Sequence, residues 1–190
     1  MVQRTIIVTG LPRSGTSLLM QMLSGGGIPV LTDDLRTPDT DNPRGYFELE
    51  AVKRTDRDSS WLAQAPGKAV KVVAPLLPHL PQDLAYDVLF IERPIEEVLR
   101  SQAAMMARRG LPSPTPDEDA ALRGIFEKSL VRANAWLAAA SHARVLRLAY
   151  PALVAEPQHT AEQIAGFLSP TLDVAAMIKA VDPTLHRNRA

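Results

Sequence analysis

The run Ile6-Ile7-Val8-Thr9 passes without a break into Gly10-Leu11-Pro12-Arg13-Ser14-Gly15-Thr16-Ser17, and Leu18-Leu19-Met20 follows. Consecutive β-branched residues with no polar alternation specify a strand buried on both faces, which is a strand of a parallel sheet. Parallel neighbours need a crossover, and the helical pattern Thr16–Leu23 supplies one. Gly10 and Gly15 frame a phosphate-cradling loop, G-x-x-x-x-G followed by two residues, in the strand–loop–helix context that such loops require. Its glycines let successive N–H groups point into one concavity, and the helix behind adds the positive end of its dipole. The turn is therefore an anion site. The position held by lysine in nucleotide-hydrolysing loops is Thr16 here, and the cation is Arg13, inside the loop. Its planar guanidinium suits an oxyanion, and Ser14, Thr16 and Ser17 surround the same concavity with hydroxyls.

The remaining chain repeats this alternation. Strand-like runs occur at Thr5–Thr9, Ala69–Val73, Val88–Ile91 and Arg144–Leu148, with a weaker one at Ile28–Leu31. Helical patterns lie between them at Thr16–Leu23, Glu48–Leu62, Ile95–Arg108, Pro116–Ser141 and Pro157–Phe167. The order predicts an α/β protein: a three-layer α/β/α P-loop fold with a central, mostly parallel sheet of four to five strands. No composition shift or repeat divides it, so one domain over residues 1–190 is expected. Thr32–Tyr46 is too polar and too long for a plain connection, and Arg109–Pro116 has the same character. Both are expected to build a substrate pocket.

Charge and cysteine content narrow the function. Twenty-one acidic and 21 basic residues cancel, which makes no case for a nucleic-acid polymer or an anionic membrane as partner. The absence of cysteine excludes disulfides, thiolate metal sites and thiol catalysis. The four histidines show no metal-ligand spacing, so no metal is expected. No apolar run reaches membrane-spanning length and no signal-peptide pattern opens the chain, so a cytoplasmic protein is expected. Met105-Met106, Trp61 and Trp136 stand at helical positions that suit core packing.

A second anion site is expected at Val88-Leu89-Phe90-Ile91-Glu92-Arg93-Pro94, an apolar strand ending in charge, with Ser101 eight residues after Arg93. Ligands of open parallel sheets bind beyond the carboxyl ends of the strands, which is where Arg93 projects. Taken together, these segments resemble the sulfotransferase family that uses PAPS (3′-phosphoadenosine 5′-phosphosulfate). Leu11-Pro12-Arg13-Ser14-Gly15-Thr16-Ser17 is similar to that family's 5′-phosphosulfate loop, and Glu92-Arg93-Pro94 through Ser101 to its 3′-phosphate motif. Tyr150, in Val145–Pro157, matches the position of a family tyrosine that approaches adenine, although Pro151-Ala152 replaces the acidic pair that follows it. The resemblance implies that Arg13, Ser14, Gly15, Thr16 and Ser17 hold the phosphosulfate and that Arg93 and Ser101 hold the 3′-phosphate. It further implies that Tyr150 contacts adenine, and that Arg13 also stabilises the departing oxygen. The implied reaction moves a sulfuryl group to a hydroxyl or amine acceptor, releases 3′,5′-ADP and uses no metal. No counterpart of the family's glycine-rich closing segment is present; the basic tail His186-Arg187-Asn188-Arg189 is the available substitute.

Transfer also needs a base for the acceptor's proton. Asp33 and Asp34 are the first candidates, because they follow the first helix and the run Ile28–Leu31. Glu48, Glu50 and His79 remain alternatives. Two other readings stay open. An ATP- and magnesium-dependent P-loop kinase or NTPase would use Glu92 and Ser17 at the metal, and a nucleotide-binding homologue would have lost catalysis.

Overall fold

The computed structural model describes residues 3–182 apart from 34, 40, 41 and 43. Four strands form one sheet: β1 (Thr5–Thr9), β2 (Ala69–Lys71), β3 (Tyr86–Glu92) and β4 (Ala143–Ala149). All neighbours are parallel, in the order β2-β1-β3-β4. The chain therefore leaves β1 toward one side for β2 and returns on the other side for β3. That reversal puts a topological switch point between β1 and β3, where open α/β sheets bind ligands.

Alternating side chains of these strands enter two cores. Ile7, Val70, Val88 and Phe90 pack with Trp61, Leu77 and Trp136 on one face. Ile6, Val8, Leu89 and Ile91 pack on the other against α1 (Thr16–Gly25) and the later helices. Helices α2 (Ile95–Arg108) and α3 (Pro116–Ala139) meet through a smaller cluster of Leu11, Val98, Leu99 and Phe126. The opposite face also carries α4 (Tyr150–Ala155), α5 (Pro157–Leu168) and α6 (Val174–Lys179). The arrangement is the expected three-layer α/β/α architecture. No helix among the described residues is long and apolar enough to cross a membrane.

Local chemistry explains where the elements stop. A capping box opens α3, with Thr115 Oγ1 accepting from Glu118 N at 3.2 Å while Glu118 Oε2 accepts from Thr115 N at 2.7 Å. Asp173 caps α6 through Ala176 N at 2.8 Å. The expected helix Glu48–Leu62 is instead two 3₁₀ turns, Glu50–Arg54 and Ser60–Gln64. Short polar side chains capture the backbone between them: Thr55 Oγ1 donates to Val52 O at 2.6 Å, and Asp58 accepts from Ser60 N at 2.9 Å. The weak run Ile28–Leu31 contributes one bridge, Val30 to Ala69, because Pro29 has no N–H to extend a ladder. Helices α4 and α6 carry no expectation from sequence; Pro151, in the first turn of α4, fits a helix start.

The loop from Gly10 to Gly15 is packed to van der Waals limits. Gly15 precedes α1 with φ 106°, and a Cβ there would overlap the Tyr150 ring. A Cβ at Gly10 would stand 2.6 Å from Ile91 O. By contrast, Gly124 lies within α3 and has open space where a methyl group would stand. Gly15→Ala is expected to cost about 2 kcal/mol or more through strain and overlap, whereas Gly124→Ala should gain up to ~1 kcal/mol. Urea midpoints of the two variants check both signs.

Candidate functional site

The carboxyl ends of β1, β2 and β3 open into one cleft of about 290 Å³. The loop after β1 lines its floor with Arg13, Gly15, Thr16 and Ser17, and Arg93, Ser101 and Tyr150 line a wall. Two motifs separated by some eighty residues of chain meet here directly. Arg13 Nε donates to Ser101 Oγ at 3.2 Å, and Arg93 Nη1 donates to the carbonyl oxygen of Arg13 at 3.0 Å. That second bond holds Arg13 in a left-handed backbone, φ 69°, a conformation that non-glycine residues adopt at a cost.

Arg93 is itself held rigidly. Its Nε donates to Glu97 Oε2 at 2.9 Å, both side chains being 5% exposed, one helical turn apart. The guanidinium also lies over the Tyr150 ring, 4.3 Å from the centroid. Tyr150 is buried against Gly15, and that burial pushes its hydroxyl pKa up. The Tyr150 ring thus fills the space that the missing Gly15 side chain leaves.

Two sequence-expected residues stand elsewhere. Ser14 is buried under the loop, 1% exposed, outside the cleft lining, and its Oγ has no partner among the described residues. The loop turns it inward because Gly10 leaves room for the hydroxyl, 2.5 Å from where a Cβ would be. Asp33 does not line the cleft either. Its carboxylate accepts from Glu50 N at 2.6 Å and Leu35 N at 3.2 Å, so it caps a 3₁₀ turn in place of facing substrate. Asp34 and the tail His186–Arg189 lie outside the described residues. His79 and Glu50 are also outside the lining, and Glu50 pairs with Lys53 at 2.6 Å.

Sequence reasoning missed Lys71, and reached Tyr46 and Arg36 only as unnamed members of the expected pocket loop Thr32–Tyr46. Lys71 ends β2 and is 7% exposed. Its ammonium donates to Ser17 Oγ at 3.3 Å, to the Tyr46 carbonyl and to Glu48 Oε1 at 3.3 Å. Burial drives its pKa from 10.5 down to about 8, against the opposing pull of Glu48. Phe47 has φ 52°; this kink turns the Tyr46 carbonyl and the Glu48 carboxylate toward the same nitrogen. Glu48 Oε1 also accepts from Arg36 Nη1 at 2.8 Å. The Arg36 guanidinium carbon lies over the Tyr46 ring, 3.4 Å from its centroid. The Tyr46 hydroxyl donates to Asp39 Oδ1 at 2.7 Å, and burial followed by that bond raises its pKa. A legible signal for Lys71 existed: it is the one charge in the apolar run Ala69–Val73. Of the two expected pocket loops, Thr32–Tyr46 contributes Arg36, Asn42 and Tyr46, and Arg109–Pro116 contributes Arg109.

No family model matches the sequence, and no curated protein matches it. Solved structures do match. Sulfotransferase STF1 from Mycobacterium tuberculosis superposes with a TM-score of 0.61 at 19% identity, over 94% of this chain and 71% of that one. The sulfotransferase domain from the curacin biosynthetic pathway gives 0.53 at 17% identity, over 100% and 92%. A sulfotransferase from Alicyclobacillus acidocaldarius gives 0.54 at 14% identity, over 100% and 98%. The chain has the fold of these bacterial sulfotransferases, and at such identities the likeness is one of fold.

Lys71 has a thermodynamic signature. Between about pH 8 and 10.5 the folded protein holds it neutral while the unfolded chain holds it charged. The unfolded state then binds more protons, so stability rises with pH across that window, by a few kcal/mol at most. In Lys71→Met this rise should disappear. Denaturant midpoints of both proteins at pH 7.5, 9 and 10.5 (approximate settings spanning the window) give the comparison.

Proposed function

We propose that the protein is a sulfotransferase that moves a sulfuryl group from PAPS to a hydroxyl or amine acceptor and releases 3′,5′-ADP. The observation that carries this reading is the Lys71 ammonium on the hydroxyl of Ser17. Ser17 occupies the loop position that holds magnesium in nucleoside-triphosphate sites. An ammonium at that place repels a divalent cation and supplies a single fixed charge in its stead. Phosphoryl transfer relies on the metal to neutralise a highly charged group, whereas a sulfuryl group carries less charge and needs less neutralisation. Glu92, the acid that a kinase reading assigns to the metal, is outside the cleft lining and pairs with Arg147 at 2.6 Å. The PAPS-type donor also finds a fitting cradle: a loop whose Gly15 has no side chain, Arg13 beside it, and Arg93 with Ser101 one step along the wall.

The donor supplies an activated sulfur–oxygen bond, which breaks as the acceptor oxygen forms its own bond to sulfur. Arg13, with the loop N–H groups and the α1 N-terminus, stabilises negative charge at the departing phosphate oxygen. Lys71 faces the transferring group from the β2 side and offsets charge on its oxygens. Arg93 and Ser101 bind the remote phosphate, and their rigid tie to Arg13 fixes how far the reacting end reaches into the loop. Tyr150 closes the wall where the adenine is assigned. Glu48, next to Lys71 and lining the cleft, replaces Asp33 as the group that takes the acceptor's proton. The acceptor's proton thus goes to Glu48, and its oxygen to sulfur.

Calorimetric titration separates this reading from its rivals. The protein is expected to bind 3′,5′-ADP without metal and more tightly than ATP with magnesium. Preference for ATP with magnesium moves it to the kinase class, and binding of 3′,5′-ADP without turnover of PAPS marks a non-catalytic homologue. Arg13→Ala and Lys71→Met should lower kcat by about 100-fold or more. Arg93→Ala should weaken 3′,5′-ADP binding most and lower kcat less, because its ligand contact is remote from sulfur and it reaches the reacting end only through the Arg13 carbonyl. Equal loss of affinity with unchanged kcat in these variants sinks the division of roles.

A further inference from the structure

The wall of the cleft opposite Arg93 and Ser101 is a chain of charges. Lys71 and Arg36 share one oxygen of Glu48, at 3.3 and 2.8 Å. Two cations on one carboxylate leave that corner with a net positive charge. Glu48 Oε1 takes one N–H donor of Arg36 and Tyr46 engages another, out of five. The Tyr46 ring lies directly beneath that guanidinium and restricts its movement. The same tyrosine bonds Asp39, whose other oxygen lies 3.5 Å from Arg109 Nη2. Arg36 and Arg109 both line the cleft and both keep substantial solvent exposure, 38% and 44% of their side chains. A guanidinium pre-set on an aromatic ring with donors facing a cleft is built to grip a planar or tetrahedral oxyanion. The apolar residues of the lining, Pro12, Leu18, Val73 and Met105, are interspersed with these charges.

From this geometry we infer that the acceptor carries its own anionic group, a carboxylate or a phosphate, which Arg36 grips while the neighbouring hydroxyl faces Glu48. The inference rests on the sulfotransferase reading for the identity of the hydroxyl, and it deepens that reading by naming the acceptor class. Because Arg36 and Lys71 meet on one atom, the anion and the reacting hydroxyl are a few bonds apart, as in a hydroxy acid or a phosphorylated polyol. Arg109, at the rim, adds attraction for the same charge.

The test uses the protein saturated with 3′,5′-ADP, which occupies the donor's two phosphate sites and leaves the sulfuryl position beside Lys71 open, so that the Arg36 variants distinguish an acid held by Arg36 from one held there. It is titrated calorimetrically with two matched pairs of probes, glycerate against glycerol and glucuronate against glucose. At least one acid is expected to bind about tenfold or more tightly than its neutral partner. Arg36→Gln should abolish that preference while leaving 3′,5′-ADP affinity within about twofold. Arg36→Lys, which keeps the charge but loses the fork, should retain part of it. Equal affinities in both pairs, no measurable binding of either acid at tens of millimolar, or a preference that survives Arg36→Gln overturns the inference. A loss of 3′,5′-ADP affinity in Arg36→Gln equal to the loss for acids also overturns it, since that is a structural effect. Should 3′,5′-ADP fail to bind the wild-type protein, the donor reading falls separately. The acid titrations repeated on Arg13→Ala, which lacks the loop's cation, then decide the anion site by the same criterion.

Discussion

The parallel pairing of β1 with β3 is the contact on which the rest depends. Its register runs from Thr5 opposite Tyr86 to Thr9 opposite Phe90, so both strands end at the same edge. The loop after β1 and the Arg93 turn after β3 therefore emerge side by side, close enough for Arg93 to bond the Arg13 carbonyl. A slip of two residues would keep every side chain on its proper face yet carry Arg93 roughly 6–7 Å along the strand axis, beyond hydrogen-bond reach of the loop. The β1–β2 pairing does the same for Lys71, which lies opposite Val8.

Burial of charge gives the cleft its character. Lys71, Arg93 and Glu97 all lose water, and each such loss is unfavourable unless hydrogen bonds replace it. Arg93 and Glu97 satisfy one another across a helical turn. Lys71 is satisfied by a hydroxyl, a carbonyl and one carboxylate it shares with Arg36, and its lowered pKa records the incomplete compensation. An anionic ligand beside it would complete the compensation and raise that pKa again. The energy withheld in the free protein is thus available to ligand binding, as expected where strained or under-satisfied groups gather at a site.

Much of the architecture was legible in residue order. Strand β1 and helix α2 occur over the residues that periodicity indicates, since an apolar run and a clear amphipathic stripe leave one way to bury them. Where the structure departs from the sequence reading, the reasons are physical. Thr55, Asp58 and Ser60 divert the backbone in Glu48–Leu62 by side-chain bonds that no periodicity reveals. Asp33 looked like a base because of its place after an apolar run, but the backbone N–H of Glu50 claimed its carboxylate. Ser14 looked like a loop donor, and the curl of the loop that exposes its neighbours turns it under.

Residue order alone was enough for a glycine-framed strand–loop–helix and a parallel α/β layering. It also placed the second cationic strand end at Arg93, because each of these follows from contiguous residues whose spacing carries its own geometry. Only the tertiary structure decided that Lys71, Glu48 and Arg36 join Arg13 in one cleft. Those residues come from an edge strand and an irregular segment, and their meeting depends on strand order, register and the backbone kink at Phe47. Such relations belong to the packed chain and to no local stretch of it.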